Sequence, residues 1–393
     1  MNNARYSQIM KLATVAKATF KIERPFKLHK LEKCPASMVT LTSEEAIKIY
    51  EKLVMLRRIE NAANTMYKEK LIRGFCHLYT GQEAVAVGIH SMLRKVDTVV
   101  TSYRCHGWAQ LMSDDMFGVL AEIAGSKSGR SRGKGGSMHI YAKNFYGGNA
   151  IVGSQIALGA GIAFAHKYRN DGGVCFAVYG DGAANQGQAF EAYNIAKLWD
   201  LPCVFVCENN TYGMGTSIKR SSASTEFYKR GNYIPGIWVD GMDVLASREA
   251  ARYSIEHCTS GKGPLIIEME TYRYTGHSMS DPGTSYRTRE EVKQMREKRD
   301  PIKMFREKVT STGLVTAEKL KEIASRIREE IIEAIERTKL EKESIPEDVA
   351  ADIYQKNLHP FIRGIRPDTP LEHVNFYKGE NVFIPLENKT KEI

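Results

Sequence analysis

The stretch Val174–Tyr212 constrains the fold more than any other part of this sequence. It begins with a short apolar run, Val174–Tyr179, which is typical of a buried strand, and a helical pattern follows over residues 186–199. A second apolar run, Cys203–Cys207, predicts another buried strand. Strand, helix and strand in this order and spacing form one parallel βαβ unit. The sequence therefore predicts an α/β fold built on a mostly parallel sheet.

Polar turns follow both predicted strands. A Gly-Asp-Gly turn around Asp181 ends the first strand, and an Asn-Asn pair ending at Asn210 closes the second. Because parallel strands end at the same edge of a sheet, where open α/β folds bind ligands, we expect Asp181 and Asn210 to lie side by side. Carboxylate and amide oxygens suit Mg²⁺, and the backbone N–H groups of Gly182 and Ala183 suit phosphates. The turns thus predict a magnesium diphosphate, although a lone Gly-Asp-Gly is usually only a turn.

The two turns, with 26 residues between the triplet and the pair, resemble the thiamine-diphosphate fingerprint. The two segments that contain them, GDGAANQGQ and ENNTYGMGTS, are similar in sequence to the corresponding segments in alpha subunits of thiamine-diphosphate-dependent 2-oxoacid dehydrogenases. The resemblance implies that Asp181, Asn210 and the main-chain carbonyl of Tyr212 hold Mg²⁺. It also implies that Gly182 and Ala183 contact the diphosphate of the cofactor.

Two arginines and a tyrosine extend the predicted phosphate site. Tyr103 and Arg104 close a predicted strand that begins at Asp97, and they match the family's diphosphate-binding tyrosine and arginine. A guanidinium group suits phosphate because its fork donates two parallel hydrogen bonds and stays charged. An isolated arginine more often forms a surface ion pair, so this prediction depends on the resemblance. Arg273, after the predicted strand Leu265–Met269, is a weaker candidate for the same role.

Two histidines match active-site histidines of this family. His77 lies in a Gly-Phe-Cys-His loop, and His277 lies in the segment Arg-Tyr-Thr-Gly-His-Ser. An imidazole can donate or accept a proton near neutral pH, although a lone loop histidine is usually solvated or structural. The resemblance further implies that Ala142, Ala150 and Val152 line the aminopyrimidine end of the cofactor, largely through backbone atoms. Alanine at position 150 departs from the expected glycine.

The charge of the chain is uneven. The formal net charge is +10, but residues 1–30 contain seven basic residues and one acidic residue, a net charge of +6. This segment is typical of a mitochondrial presequence, which would place the chain in the mitochondrial matrix; a disordered basic tail is the alternative. The remaining charge of about +4 is too small to argue for nucleic acid as a partner. No apolar run reaches the length of a membrane span.

The remaining patterns predict one large domain. A capping box at Thr42 and Glu45 starts a long first helix, and an amphipathic helix is predicted over residues 316–340. The expected fold class is the thiamine-diphosphate-binding α/β fold, a mostly parallel sheet flanked by helices, with a helical N-terminal region and an extended C-terminal arm. The expected organisation is a presequence at 1–30, an α/β domain at 40–345 and the arm at 346–393.

Two glycine-rich stretches suggest other nucleotide sites and are rejected. Residues 126–138 form a basic stretch, but Gly135 follows Lys134 where a P-loop requires Ser or Thr. We interpret this stretch as a flexible loop near anionic ligands. Gly159-Ala160-Gly161 imitates a dinucleotide fingerprint, but no strand is predicted before it and position 164 is Phe. A nicotinamide cofactor is therefore not expected.

The resemblance implies an activity that depends on a second chain. In this family thiamine diphosphate serves decarboxylation of a 2-oxoacid, and the remaining acyl unit passes to a lipoyl group. A beta subunit supplies a carboxylate, so we expect a two-alpha, two-beta tetramer that also meets the lipoyl domains of an acyltransferase. The segment 277–283, His-Ser-Met-Ser-Asp-Pro-Gly, favours pyruvate over branched-chain 2-oxoacids. A branched-chain or acetoin enzyme and a regulatory subunit without catalysis are the alternatives.

Three serines match regulatory phosphorylation sites of the family: Ser278, Ser285 and Ser217. They imply a regulatory kinase and phosphatase as further partners, although each could be an ordinary loop serine. Ser278 adjoins His277, so phosphorylation there would add about −1.5 to −2 charges close to a bound diphosphate. We therefore expect a phosphate on Ser278 to prevent its loop from closing over the cofactor.

Overall fold

A seven-stranded sheet forms the centre of the molecule. The computed structural model describes residues 16–345, 348, 353, 361–362 and 371–372. In spatial order the strands of the sheet are β2 (Lys27–His29), β10 (Gly236–Asp240), β11 (Leu265–Glu270), β7 (Cys203–Asn209), β6 (Cys175–Gly180), β4 (Thr98–Ser102) and β5 (Phe145–Asn149). All neighbouring strands are parallel except the edge pair β2 and β10. The predicted α/β fold with a mostly parallel sheet is confirmed.

Helices cover the sheet, and short strand pairs lie outside it. The described α-helices are α1 (Ser43–Lys68), α2 (Glu83–His90), α3 (His106–Ser113), α4 (Met116–Ile123), α5 (Ser154–Arg169), α6 (Gly187–Leu198), α7 (Ile218–Ser221), α8 (Val244–Thr259), α9 (Arg289–Arg299), α10 (Pro301–Ser311) and α11 (Ala317–Leu340). The antiparallel pairs are β1 (Lys17–Lys21) with β3 (Met38–Thr42), β8 (Tyr212–Gly213) with β9 (Thr216–Ser217), and β12 (Phe361–Ile362) with β13 (Leu371–Glu372). Among the helices described here, none is long and apolar enough to cross a membrane.

Side chains of the central strands alternate between two buried faces. In β6, Phe176 and Val178 belong to a buried cluster that includes residues of α1–α4, α8, α10 and α11. Cys175, Ala177 and Tyr179 belong to a second cluster, on the other face, that includes residues of α5 and α6. The strands read as continuous apolar runs because helices cover both sides of the sheet. The result is three layers, with the ends of the strands left open at the sheet edge.

Local signals explain most of the helix starts. α1 begins with the predicted capping box, in which the Thr42 side chain accepts from the Glu45 N–H over 3.2 Å and the Glu45 side chain accepts from the Thr42 N–H over 2.9 Å. α9 and α10 were not predicted, although Asp300 caps α10 and Pro301 occupies its first position. α3 was also not predicted, because Cys105 at its start provides no side-chain cap.

Part of the predicted presequence belongs to the folded domain. Residues 17–29 include β1 and β2, and β2 extends the central sheet through its pairing with β10. Phe20 and Ile22 are buried in the core. The prediction was wrong for this part because lysines of an edge strand can face solvent while alternate residues are buried. Residues 1–15 and nearly all of the predicted arm at 346–393 lie outside the described residues, so those predictions stay predictions.

A strand, β5, precedes the helix that contains Gly159-Ala160-Gly161, contrary to the sequence prediction. The glycines nevertheless lie inside α5 and not in a turn after the strand. A Cβ on Gly159 would lie 2.3 Å from the Cβ of Ala177 in β6, so this glycine lets α5 approach the sheet closely. A dinucleotide fingerprint is therefore excluded by the position of the glycines rather than by a missing strand.

The basic, glycine-rich loop of residues 126–138 is wrapped around a buried carboxylate. Each carboxylate oxygen of Glu122 accepts two backbone hydrogen bonds of 2.7–3.2 Å. Oε2 accepts from the N–H groups of Ser131 and Gly133, and Oε1 accepts from those of Gly135 and Gly136. Gly135 has no space for a side chain, since a Cβ would lie 1.9 Å from the carbonyl oxygen of His139. The loop therefore closes on an acidic side chain of the same chain, which differs from the predicted flexible loop near anionic ligands.

We expect Glu122→Gln to loosen this loop, because an amide nitrogen cannot accept the two hydrogen bonds that one carboxylate oxygen now accepts. Each lost bond costs about 1 kcal/mol. Trypsin should therefore cut after Arg130, Arg132 or Lys134 about tenfold faster or more, as measured by mass spectrometry of the peptides released over time. The exposed Glu333→Gln on α11 is the control. Equal cleavage rates in the two variants would show that the carboxylate does not hold the loop.

Candidate active site

Four polar side chains lie where four adjacent strands end. In the order of the strands β4, β6, β7 and β11 they are Arg104, Asp181, Asn210 and Arg273. Because these strands are parallel neighbours, their carboxyl ends meet at one edge of the sheet. The backbone N–H of Asn210 donates to Asp181 Oδ1 over 3.2 Å. The prediction that Asp181 and Asn210 lie side by side is confirmed.

Asp181 is a buried carboxyl group, with only 2% of its surface exposed. Burial raises the pKa of Asp181 to about 6, and the hydrogen bond from Asn210 and the charges of Arg273 and Arg104 only partly offset that effect. A carboxyl group held in such an environment is more often functional than structural. Asp181 is therefore suited to bind a cation at this edge.

The guanidinium of Arg273 contacts the other two predicted metal ligands. Its Nη1 donates to the side-chain oxygen of Asn210 and to the carbonyl oxygen of Tyr212, each over 3.3 Å. These two oxygens thus converge on one cationic group beside Asp181, and oxygens of this kind are the ligands of Mg²⁺. No cluster of three or more His, Cys, Asp or Glu side chains within the described residues offers another metal site. The residues present fit a magnesium ion.

Gly182 and Ala183 lie at the start of a short 3₁₀ helix, Ala183–Asn185. The α-helix α6 begins only at Gly187, one position later than the sequence predicts. Gly182 lies next to Gly213, since a Cβ on Gly182 would be in ordinary van der Waals contact, 3.4 Å from the Cα of Gly213. The first N–H groups of such a turn have no partner inside it, so they suit an anionic ligand.

Arg104 links the two loops that carry the predicted histidines. Its Nη1 donates to the carbonyl oxygen of Leu78 over 2.6 Å, and its Nη2 donates to that of His277 over 3.0 Å. The side chain is 4% exposed, and burial together with the charge of Arg273 lowers its pKa to about 10. Arg104 therefore stays charged at neutral pH and holds both loops at a set distance.

His77, His277 and Tyr103 form an aromatic cluster beside Arg104. The ring centroid of His77 lies 5.2 Å from that of His277 and 4.3 Å from that of Tyr103. Burial, together with the positive charge of Arg104, lowers the pKa of His77 to about 2 and that of His277 to about 4. Both imidazoles are therefore neutral at pH 7, and the negative charge of a bound phosphate would raise both pKa values.

Several buried polar atoms around this edge lack a hydrogen-bond partner among the described residues: His77 Nδ1, Gln82 Nε2, Thr211 Oγ1 and His277 Nδ1. A buried polar group that stays unpaired costs about 1–3 kcal/mol. A polar ligand at the strand ends would remove much of that cost. The unpaired atoms are thus a second sign, beside the converging oxygens, of a ligand at this edge.

The residues predicted for the aminopyrimidine end do not all meet. Ala150 and Val152 follow β5 at the same edge of the sheet, and Val152 is exposed. Ala142 instead forms backbone hydrogen bonds with Phe145 at the opposite end of β5. The structure therefore does not bring Ala142 to the strand ends that carry Asp181. The reason is that β5, which was not predicted, separates position 142 from position 150.

The three predicted phosphorylation serines differ in exposure. Ser278 is buried, with 7% of its surface exposed, whereas Ser285 is exposed and Ser217 in β9 is half-buried. The loop around Ser278 is held by Asp281, whose carboxylate accepts from the backbone N–H of His277 over 2.6 Å. A kinase would reach Ser278 only after this loop opens.

Two buried residues beside the site were not predicted, and one of them, Gln82, contacts Asn210 directly. Gln82 Oε1 accepts from the side-chain amide of Asn210 over 3.0 Å. Glu208 accepts from the Tyr79 hydroxyl in a short buried contact, and burial raises the pKa of Glu208 to about 7. Glu208 stands two positions before Asn210, which was a usable signal. Gln82 lies 128 positions from Asn210, so no local pattern could have joined them.

Comparison with known proteins defines the class of this chain. Residues 51–347 match the family described as dehydrogenase E1 component, so the chain belongs to that thiamine-diphosphate-dependent family.

Within this family, the chain is similar to proteins named as alpha subunits of the pyruvate dehydrogenase E1 component. The chain is 57% identical over 345 residues to a probable pyruvate dehydrogenase E1 component subunit alpha, mitochondrial, of Caenorhabditis elegans, covering 88% of this chain and 87% of that protein. It is 56% identical to the type I mitochondrial alpha subunit of Ascaris suum, covering 88% and 87% of the two chains. It is 51% identical to the somatic mitochondrial form of Homo sapiens, covering 88% and 89%.

Replacing Asp181 by Asn should raise the melting temperature of the chain without cofactors at pH 7.5, and should raise it only about half as much at pH 5. The pKa of Asp181 in the folded chain, about 6, lies above the usual value of 3.8, so the folded state binds the carboxyl proton more tightly than the unfolded state does. The free energy of unfolding therefore falls as the pH rises from about 4 through 6. Asn avoids the buried charge, a gain of at most about 3 kcal/mol at pH 7.5.

The check is a pair of melting curves in EDTA at each pH, with the exposed Glu329→Gln on α11 as the control. A lower melting temperature of Asp181→Asn at pH 7.5 would contradict the assignment of a raised pKa to this carboxyl group.

Proposed function

We propose that the chain is the alpha subunit of a pyruvate dehydrogenase (acetyl-transferring) of the mitochondrial matrix, which uses thiamine diphosphate and Mg²⁺. The observation that carries the proposal is the meeting of Asp181, Asn210 and the Tyr212 carbonyl at the ends of adjacent parallel strands. Relatives whose printed names describe this subunit are similar to the chain over nearly nine tenths of its length.

In this proposal the cofactor binds through its metal and its diphosphate. Asp181, Asn210 and the carbonyl of Tyr212 would hold Mg²⁺, and the N–H groups of Gly182 and Ala183 would hold the diphosphate. Arg104 and Arg273 would balance the negative charge of the diphosphate, since both guanidinium groups are buried at the same edge. The half-buried Ala150 and the exposed Val152 would face the other end of the cofactor, as the resemblance implies.

The side chains around the metal site would orient the substrate. Thiamine diphosphate, when bound, supplies the nucleophilic carbon on which a 2-oxoacid loses CO₂. His77, His277 and Tyr103 form one wall of the site, and neutral imidazoles can donate or accept hydrogen bonds where charge develops on the substrate. Arg104 keeps the two histidines at their spacing by bonding to the backbone of both loops.

The proposal includes a beta subunit that completes the site. Apolar side chains are exposed on α5, on α6 and just after α6: Leu158, Phe164, Tyr168, Phe190, Leu198 and Trp199. Several of these rings contact one another, as with Phe164 and Trp199 at 5.5 Å, and clusters of this kind mark interfaces. A pyruvate dehydrogenase beta subunit would cover this surface in a two-alpha, two-beta tetramer. The acetyl group would then pass to lipoyl domains of the dihydrolipoyl acetyltransferase component.

We expect pyruvate-dependent release of CO₂ only when this chain is co-purified with a beta subunit and supplied with thiamine diphosphate and Mg²⁺. Asp181→Ala removes a metal ligand and should lower the rate at least 100-fold, or about 2.7 kcal/mol. Full turnover by the alpha chain alone, with beta excluded by mass spectrometry, would contradict the shared site.

Substrate profiling separates the proposal from its alternatives. Higher activity with branched-chain 2-oxoacids or acetoin than with pyruvate would assign the chain to a neighbouring enzyme. A well-formed tetramer that is inactive with each of these substrates would favour the regulatory subunit.

Phosphorylation of Ser278 is the proposed means of regulation. Ser278 is buried directly after His277, whose carbonyl oxygen accepts from Arg104. Two like unit charges about 4 Å apart repel by roughly 4 kcal/mol at an effective dielectric of 20. A phosphate on Ser278 would therefore compete with a bound diphosphate for the same positive edge and prevent loop closure. Ser285 and Ser217 are the other proposed targets of the kinase and phosphatase.

Ser278→Glu should reduce activity at least tenfold and abolish the protection that thiamine diphosphate gives residues 272–289 against protease. Ser278→Ala tests whether the loss comes from the charge, and the exposed Ser325→Glu on α11 is the matched control with the same change of charge. The measurements are CO₂ release and timed proteolysis of the tetramer. Intact activity together with intact protection in Ser278→Glu would contradict the proposed mechanism.

A further inference from the structure

The side-chain amide of Asn210 is held from both sides. Its Nδ2 donates to Gln82 Oε1 over 3.0 Å, and its Oδ1 accepts from Arg273 Nη1 over 3.3 Å. A rotated amide would set Nδ2 against the guanidinium, where two donors would face each other. The observed orientation is therefore the one that satisfies both neighbours. This orientation directs the Asn210 side-chain oxygen to the guanidinium of Arg273, which also contacts the carbonyl oxygen of Tyr212.

Gln82 is itself firmly positioned. It is fully buried and stands directly before the first residue of α2. Gly81 passes so close to Tyr272 that a Cβ would lie 2.2 Å from its carbonyl oxygen. On the other side, Glu83 accepts from Arg57 Nη2 over 3.0 Å. Contacts on both sides thus fix the backbone from which the Gln82 side chain reaches Asn210.

The orientation of the amide decides whether Asn210 can bind a metal. An amide oxygen has lone pairs to offer to Mg²⁺, whereas the amide nitrogen acts only as a donor. Without an acceptor for its Nδ2, the amide of Asn210 would lose the shorter of the two hydrogen bonds that distinguish its ends, and only the 3.3 Å bond from Arg273 would remain. Gln82 Nε2 has no partner among the described residues, so the bond to Asn210 is the side-chain contact that a substitution removes.

We propose that Gln82 is a positioning residue for the metal site: it holds the Asn210 amide so that the oxygen faces the cation. This inference rests on the proposed function, because it requires Asn210 as a metal ligand. Loss of the bond from Asn210 Nδ2 to Gln82 Oε1 weakens metal binding even when the fold is intact.

The test compares Gln82→Met with Gln82→Glu in the tetramer with a beta subunit. Met has nearly the volume of Gln but offers no oxygen acceptor, whereas Glu keeps one. Free Mn²⁺ is measured by electron paramagnetic resonance at a fixed, saturating concentration of thiamine diphosphate. Gln82→Met should raise the half-saturating Mn²⁺ concentration about tenfold or more, and Gln82→Glu should bind Mn²⁺ no more weakly than the unsubstituted protein.

A double-mutant cycle with Asn210→Asp separates orientation from general damage. A carboxylate offers oxygen at both ends, so its rotation does not matter to the metal. Gln82→Met should therefore cost about tenfold in Mn²⁺ affinity beside Asn210 and little in the Asn210→Asp background. This comparison also decides the question if the single variant Gln82→Met assembles poorly.

Gln110→Met is the matched control. Gln110 is a buried glutamine of α3, 2% exposed, whose amide contacts the sulfur of Met55 over 3.2 Å. Its replacement should change the melting temperature but leave Mn²⁺ affinity as it is. Asp181→Asn should abolish Mn²⁺ binding in the same assay, because it removes the charged ligand.

The outcomes separate the inference from the proposed function. Unchanged Mn²⁺ affinity in Gln82→Met, an equal loss in Gln82→Glu, or the same loss in the Asn210→Asp background would each overturn the role of Gln82. In each of these cases the metal site itself would remain supported, provided that the unsubstituted protein binds Mn²⁺ and the Asp181→Asn variant does not. Absence of Mn²⁺ binding by the unsubstituted tetramer would instead contradict the proposed function.

Discussion

Parallel pairing of β4, β6, β7 and β11 is the constraint on which the site depends. Helices cover both faces of these strands, so the backbone leaves only the strand ends open to a ligand. Arg104, Asp181, Asn210 and Arg273 stand far apart along the chain, and each follows one of these strands. They meet because neighbouring parallel strands end together. A change of pairing order would scatter the four side chains even if every helix and strand formed as before.

Burial of charge at this edge costs free energy, and the structure offsets only part of it. The pKa of Asp181 is raised to about 6 and that of Arg104 is lowered to about 10, both mainly by burial. The two guanidinium groups donate largely to backbone carbonyls, as Arg104 does to Leu78 and Arg273 does to Tyr212. Carbonyl dipoles orient a guanidinium without cancelling its charge. The positive edge is thus preorganised for an anion, which is the arrangement that electrostatic binding and catalysis require.

Local patterns predicted the site where the chemistry lies within a few residues of a strand end. Asp181 and Asn210 were found in this way, because apolar runs mark the strands and polar turns mark their ends. Composition was a poorer guide. The basic composition of residues 1–30 predicted a presequence, but Lys17–Lys21 forms a strand that pairs with Met38–Thr42. Net charge does not indicate whether a segment can pair with a distant strand. The basic, glycine-rich loop resembles a phosphate loop, yet its N–H groups are taken by Glu122, a residue outside the loop.

The sequence by itself determined the class of fold and the chemical type of ligand, because strand periodicity and turn residues are local properties of the chain. Only the tertiary structure decided which side chains hold the predicted ligands in place. Gln82 contacts Asn210 across 128 positions, and Arg104 contacts the carbonyl of His277 across 173. No propensity of a short segment encodes contacts over such separations. They arise when the strands pair, the helices pack and distant loops reach the same edge of the sheet.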